Sequence, residues 1–318
     1  MSSGRRSKRA SIGRWSDRLH ALSFRISTWN CFGMGQGLSA VTALRAPFAA
    51  RLRDRAVLSE CAAPDILCVQ ELLSREAQQF FDAVGKESFV SRFRDDNRVR
   101  FGGRMTMRGS GLGIGARAVL TKTIVRTFPG GSVGWDRLAR KGALYTQLLL
   151  PNGVVVDLIT AHLQAGYNAS AIAVRAMQLA DLKAFIASVG SPARPFIVCG
   201  DFNICGLVSV RDDAPYRSLM AAMSGFEDLG AAADLPTYVP HPQGNGLAFA
   251  RDPQGSAQRI DHIFFRPARG PVELRCTLLE VFFDKPLALT KHHDGTAAWA
   301  SDHSGLSATF KLCGTRAH

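Results

Sequence analysis

The chain predicts a layered α/β fold, with sheets packed face to face and helices outside. Two observations carry that expectation. Short apolar runs such as residues 66–70 and 196–199 lack polar alternation, as strands covered on both faces require. Between such runs lie segments of helical periodicity, of which residues 170–189 are the clearest. A third observation concerns chemistry: the apolar runs end in Asn30, Gln70-Glu71, His162 and Asp201, so polar groups far apart in sequence sit at strand ends.

Taken in order, residues 24–29 read as a first strand. Residues 40–61 have helical propensity, with Pro47 near the start or interrupting. A strand follows at 66–70 and a helix at 75–84. The glycine-rich stretch 109–115 enters a strand, and 118–128 forms another. Strands 142–150 and 154–160 flank Pro151-Asn152-Gly153, whose Asn-Gly pair signals a hairpin. Helix 170–189 places Ile172, Val174, Met177, Leu179, Leu182 and Ile186 on or near one face, which is expected to pack on the sheet. A buried strand returns at 196–199 and a short helix at 215–223. The last third is strand and loop, with strands at 258–265, 274–283 and 306–312. No internal repeat is visible.

The polar set runs from Asn30 to His303 within 318 residues, which favours a single domain over residues 24–318. An apolar fraction of 46% is enough for a sizeable core. The net charge of +13 raises the local concentration of anionic partners without choosing among nucleic acid, anionic lipid and small phosphoesters. Seven cysteines follow no ligand spacing, and the count is odd, so a reducing compartment fits better than a disulfide framework. No apolar stretch approaches the roughly 18 residues of a membrane span, and no apolar segment follows the basic N-terminus as in a secretory signal. A cytoplasmic or peripheral membrane location is therefore expected. Residues 1–23 read as a basic flexible tail; Ile12, Trp15, Leu19 and Leu22 at helical spacing among arginines also suit contact with an anionic membrane.

Glu71 emerges where a buried strand ends. Mg²⁺ takes one or two carboxylates plus waters and phosphate oxygens, so Glu71 with Asn30, or with Asp302, would hold it. The ordinary alternative is a charge at a helix N-terminus. In Gly200-Asp201-Phe202-Asn203, alternation along an extended segment puts Asp201 and Asn203 on one side, able to orient a water and a phosphoryl oxygen; the alternative is an Asx-turn. His303, in Ser301-Asp302-His303, needs a carboxylate behind its ring, and Asp261 after Arg259-Ile260 is the candidate. His162 is a second imidazole at a strand end.

This ordered set resembles the motifs of the endonuclease/exonuclease/phosphatase superfamily across residues 24–312. The resemblance implies a four-layer α/β/β/α sandwich of two mixed sheets flanked by helices. It implies hydrolysis of phosphate esters with Mg²⁺, for which Mn²⁺ could substitute. It places Asn30 and Glu71 at the metal, beside the further ligand candidate Asp302, and Asp201 with Asn203 around the attacked phosphate. Asp261 or Asp302 would support His303, and His162 would contact a phosphoryl oxygen or the leaving group.

Within that superfamily three features are similar to the neutral sphingomyelinases. His162-Leu163-Gln164-Ala165-Gly166-Tyr167-Asn168 resembles their His-Leu-x-Ala-x-Tyr-Asn, and Arg175 and Gln178 follow on a helix. Asp136 and Lys141 are five residues apart, as in a loop over the site in that branch; the ordinary alternative is a solvated loop pair. Gly109-Ser110-Gly111-Leu112 resembles the entry to that branch's middle strands. The substrate expected is a choline phospholipid, cleaved to phosphocholine and a lipid alcohol such as ceramide by a monomer. Phe282, Phe283 and Leu287 would either insert into a bilayer or pack on the core. The rivals are a deoxyribonuclease-like enzyme, favoured by the charge, and a soluble sugar or inositol phosphatase.

Overall fold

The computed structural model describes residues 23–33, 48–95, 99–101, 105–107, 109–210, 213–269, 272–291 and 297–315. In chain order they form β1 (Ser23–Asn30), α1 (Phe48–Leu52), α2 (Arg55–Ala62), β2 (Ile66–Gln70), α3 (Arg75–Ser88), β3 (Ser91–Arg94), β4 (Val99–Phe101) and β5 (Met105–Met107). Next come β6 (Gly113–Ala116), β7 (Val119–Thr127), a 3-10 turn (Gly134–Leu138), β8 (Gly142–Leu149), β9 (Val155–His162), α4 (Ala169–Val189) and β10 (Phe196–Asp201). A second 3-10 turn (Val208–Val210), α5 (Ala214–Ala222), β11 (Glu227–Asp228), α6 (Gly246–Arg251), β12 (Asp261–Arg266), β13 (Val272–Phe282) and β14 (Gly305–Thr315) complete the chain. Residues 1–22 of the expected tail lie outside the described residues, and Ser23 already belongs to β1.

Two six-stranded sheets form, ordered β13-β14-β1-β2-β6-β3 and β11-β12-β10-β9-β8-β7. Each is mixed: β1–β2 and β9–β10 run parallel among antiparallel neighbours. Their inner faces meet through Ile26, Cys68, Ile114, Leu158, Ile197 and Phe310, all with no exposure. The outer face of the first sheet is covered by α1 to α3 through Val57, Cys61, Phe80 and Phe81. That of the second is covered by α4 and α5 through Leu182, Phe185, Ile186 and Leu219. This is the four-layer α/β/β/α sandwich.

Local chemistry explains the boundaries. The stretch 40–61 is not one helix in its described part: Asp54 accepts from Ala56 N at 2.8 Å and starts a second helix. Ser74 and Asn168 cap α3 and α4 in the same way. The hairpin at Asn152-Gly153 forms, with Gly153 at φ 83°. Phe283 packs with Trp29, Phe282 with Phe283, and Leu287 is buried, so these three serve the core and not a bilayer. Helix α4 departs from expectation, because Ile172 and Met177 face outward while Leu179, Leu182 and Ile186 pack inward. No helix among the described residues is long and apolar enough to cross a membrane.

Candidate active site

Strand register assembles the site. In the second sheet Gly142 pairs with His162, His162 with Asp201, and Asp201 with Asp261, so three functional groups stand in one row with Lys141 just beyond it. In the first sheet Asn30 pairs with Gln70, and β14 runs back beside β1 so that His303 lies next to Trp29, whose indole donates to His303 O at 3.3 Å. Buried Gln70 links the sheets, donating to Thr28 and Thr160 hydroxyls at 2.9 Å each. The chain leaves these strand ends through Phe32, Glu71 and Asn203, with φ of 49°, 63° and 52°. Non-glycine residues in that region carry local strain, which clusters at functional sites.

Asp201 Oδ2 is the hub. Asn30 Nδ2 donates to it at 3.0 Å, His162 Nε2 lies 3.3 Å away and His303 Nε2 3.9 Å. Its other oxygen accepts from Asn203 N at 2.9 Å, so the Asx-turn foreseen as the alternative does form. Extended alternation ends at Asp201, and Asn203 instead donates its amide to Leu163 O at 3.0 Å. Burial, outweighing His303, raises the Asp201 carboxyl to about 7.

His303 donates from Nδ1 to Asp261 Oδ2 at 2.8 Å. Burial would lower this imidazole, but the carboxylates of Asp261 and Asp201 overcome it and lift it to about 10. Asp261 is itself placed by Thr237, whose hydroxyl accepts from the Asp261 backbone at 3.2 Å. The Tyr238 ring stands 5.4 Å from the His303 ring.

Lys141 is buried, with Nζ 2.7 Å from His162 Nε2 and 3.2 Å from Asp136 Oδ1. It is not a solvated loop pair. Burial, then Lys141, push the His162 imidazole well below its ordinary value, so the ring is neutral and accepts from the ammonium. Asp136 accepts from Ala165 N at 2.7 Å, and Arg175 clamps the same segment through Gln164 O and Gly166 O at 2.7 and 2.8 Å.

Asn30 also donates to Glu71 Oε1 at 3.2 Å. Glu71 Oε2 is buried without a partner, and burial, then Asp302, raise this carboxyl. Asp302 stands differently from the other expected metal ligands. Ser301 donates to one of its oxygens at 3.1 Å and Arg251 Nη1 to the other at 2.5 Å. Burial would raise Asp302, but Arg251 and His303 outweigh it and hold the carboxyl low. Among the described residues Asp201, Asp261 and His303 form a group whose possible ligand atoms all lie within 4.8 Å of one another.

Three contributors were not foreseen. Arg251 ends α6, which has no apolar repeat to reveal it, and lies 4.8 Å over the Phe32 ring. Buried Arg51 donates to Cys31 O at 2.9 Å, Phe32 O at 2.6 Å and Ala300 O, tying the segment after Asn30 to the one before Asp302. Behind the site Arg259 grips Asp228 at 2.8 and 3.0 Å and reaches Gly206 O at 2.6 Å, bracing the turn after Asn203.

The sequence pattern of the Endonuclease/Exonuclease/phosphatase family matches residues 27–303. No curated protein sequence matches the chain. Among solved structures, Staphylococcus aureus beta toxin 275-280 is similar in fold, with TM-score 0.70 at 18% identity over 90% of this chain and 99% of that one. Sphingomyelinase C from Streptomyces griseocarneus gives TM-score 0.68 at 19% identity over 90% and 99%. D. rerio TDP2, solved with a single-strand DNA product, gives 0.64 at 20% identity over 91% and 99%. With the sandwich and the ordered strand-end motifs in place, the chain belongs to the endonuclease/exonuclease/phosphatase family, a family of metal-dependent phosphodiester hydrolases.

Proposed function

We propose that the protein hydrolyses a phospholipid-type phosphodiester, releasing phosphocholine and a lipid alcohol such as ceramide. One observation carries the choice of substrate. The loop bearing Asp136 buries Lys141 against His162, which supports the resemblance of the Asp136–Lys141 spacing to neutral sphingomyelinases. The fold likeness to sphingomyelinase C supports it. The likeness to TDP2 and the net charge of +13 keep a DNA phosphodiester as the second reading.

The residues fit a divalent cation. Glu71 presents a buried, unpartnered carboxylate oxygen, and Asn30 and Asp302 stand beside it as the other proposed ligands. Bound there, Mg²⁺ supplies Lewis-acid polarisation of a phosphoryl oxygen and offsets charge on the leaving group. The chain's own groups do the rest. His303 Nε2 and Asp201 Oδ2, 3.9 Å apart, form the pair that takes the proton of the attacking water. Asp261 fixes the tautomer and direction of His303. Asn203 binds a phosphoryl oxygen, His162 holds the Lys141 ammonium beside it, and Lys141 stabilises the charge that builds there.

A parallel assay of sphingomyelin in mixed micelles, double-stranded DNA and a bis-aryl phosphodiester tests this reading. Mg²⁺-restored, EDTA-sensitive release of phosphocholine is expected to exceed the other activities. Preferential cleavage of DNA would replace the proposal by the second reading.

A further inference from the structure

A surface helix ordinarily turns charged and polar side chains toward water. Helix α4 does not. Its inner side packs Leu179, Leu182, Phe185 and Ile186 on the second sheet. Its outer side exposes Ala169, Ile172, Ala173, Ala176, Met177 and Ala180. Those positions follow the spacing i, i+3, i+4, i+7, i+8, i+11, one continuous stripe about 17 Å long at ~1.5 Å per residue. Ile172 is 42% exposed and Met177 51%. No charged side chain interrupts the stripe before Lys183.

The stripe follows directly on the segment that leaves the active-site strand at His162. Tyr167, just before the cap Asn168, is 63% exposed, and Gln258 Nε2 donates to its hydroxyl at 2.7 Å. The Gln258 backbone pairs with Tyr238, the residue facing His303. Alongside, Met177 lies next to Gly130 and Gln178 donates to Gly131 O at 3.4 Å, in the loop that runs on to Arg137 and Lys141. Charge on this side is one-signed. Asp181 is paired with Arg126 and Asp136 with Lys141, whereas Arg137 and Lys183 are exposed cations.

We propose that the outer face of α4 docks on an anionic phospholipid bilayer. An apolar stripe with basic flanks is what a helix lying in the interface plane requires, and an exposed tyrosine at its head suits the headgroup level. Docked in this way, the Tyr167 end of the helix, linked through Gln258 and Tyr238 to His303, lies against the layer from which a lipid substrate would come, so the inference deepens the lipid reading and rests on it for its purpose.

Cosedimentation of the full chain with phosphatidylcholine vesicles, with and without phosphatidylserine, tests the surface. The wild type is expected to bind, more tightly with phosphatidylserine. Ile172→Gln/Met177→Gln is expected to weaken partitioning by about tenfold or more, with the melting temperature and cleavage of a soluble bis-aryl phosphodiester unchanged. Equal partitioning of wild type and double variant would overturn the proposal, as would indifference to phosphatidylserine. So would a wild-type dimer that the double variant abolishes while still binding vesicles, which would assign the stripe to a second copy of the chain. Stripe-dependent binding without cleavage of any choline phospholipid in the vesicles would uphold the docking surface and defeat the substrate reading alone.

Discussion

Arg251 and Asp302 set the charge at the edge of the site. At 2.5 Å the guanidinium already offsets a carboxylate that is one of the candidate ligands of the cation. Removing a positive charge from beside Glu71 and Asp302 strengthens attraction for a divalent ion. Arg251→Gln is therefore expected to tighten Mg²⁺ binding by about tenfold in calorimetry. Weaker binding would mean that Arg251 serves chiefly to orient Asp302. At the reacting centre, His303→Ala is expected to cost about 10²- to 10⁴-fold in turnover, with little change in melting temperature. A large drop in melting temperature would instead make the His303–Asp261 pair a structural one. At this scale the sequence was legible where a polar residue closes an apolar run, as at Asn30, Glu71, His162 and Asp201. It was silent where a charge acts from a segment without periodicity. Arg251 and Arg51 are such cases: Asp302 lies 51 residues from the first and Ala300 lies 249 from the second, and no local pattern marks them.

Elements were read from apolar runs, and the buried strands β1, β2, β9 and β10 lie close to where those runs placed them. What failed has a physical cause. Asp54 offers a cap stronger than the helical propensity of its neighbours, so the expected helix restarts there. The short strands β3 to β5 hold no apolar run of their own and exist through pairing. Apolar periodicity located α4 but could not say which face is buried, because both faces are apolar. Strand β10 carries its own sharp test. Gly200 has φ 136°, and a Cβ there would stand 2.0 Å from Ala161 O on the neighbouring strand. Gly200→Ala is expected to destabilise the fold by more than about 3 kcal/mol in urea unfolding. A loss below 1 kcal/mol, on the same order-of-magnitude scale, would show that β9 and β10 can separate freely.

Across the whole molecule, two electrostatic consequences follow. Burial would raise Asp228, but His262 and Arg259 outweigh it and hold the carboxyl far below its ordinary 3.8. A depressed folded value means that the pair's contribution is present above about pH 4 and is lost as pH falls toward the folded value. Asp228→Asn leaves Arg259 unpaired in the interior. It is expected to cost about 3–5 kcal/mol near neutral pH and to flatten the acid limb of the stability curve. An unchanged acid limb would assign acid unfolding to other carboxylates. The net charge of +13 acts at longer range. Turnover of an anionic substrate is expected to fall as salt shortens the Debye length from about 30 Å to about 8 Å.

Strand β1 lies between β2 and β14, and Arg51 bonds to carbonyls at both Cys31 and Ala300. During synthesis on the ribosome, β1 must wait with one edge bare until the chain has been extended by some 280 further residues to reach β14. The guanidinium of Arg51 likewise lacks one of its acceptors, Ala300 O, until that segment is made. A nascent chain halted before residue 300 should therefore be a client of chaperones that shield unpaired strands, and catalysis should begin only once β14 has paired with β1.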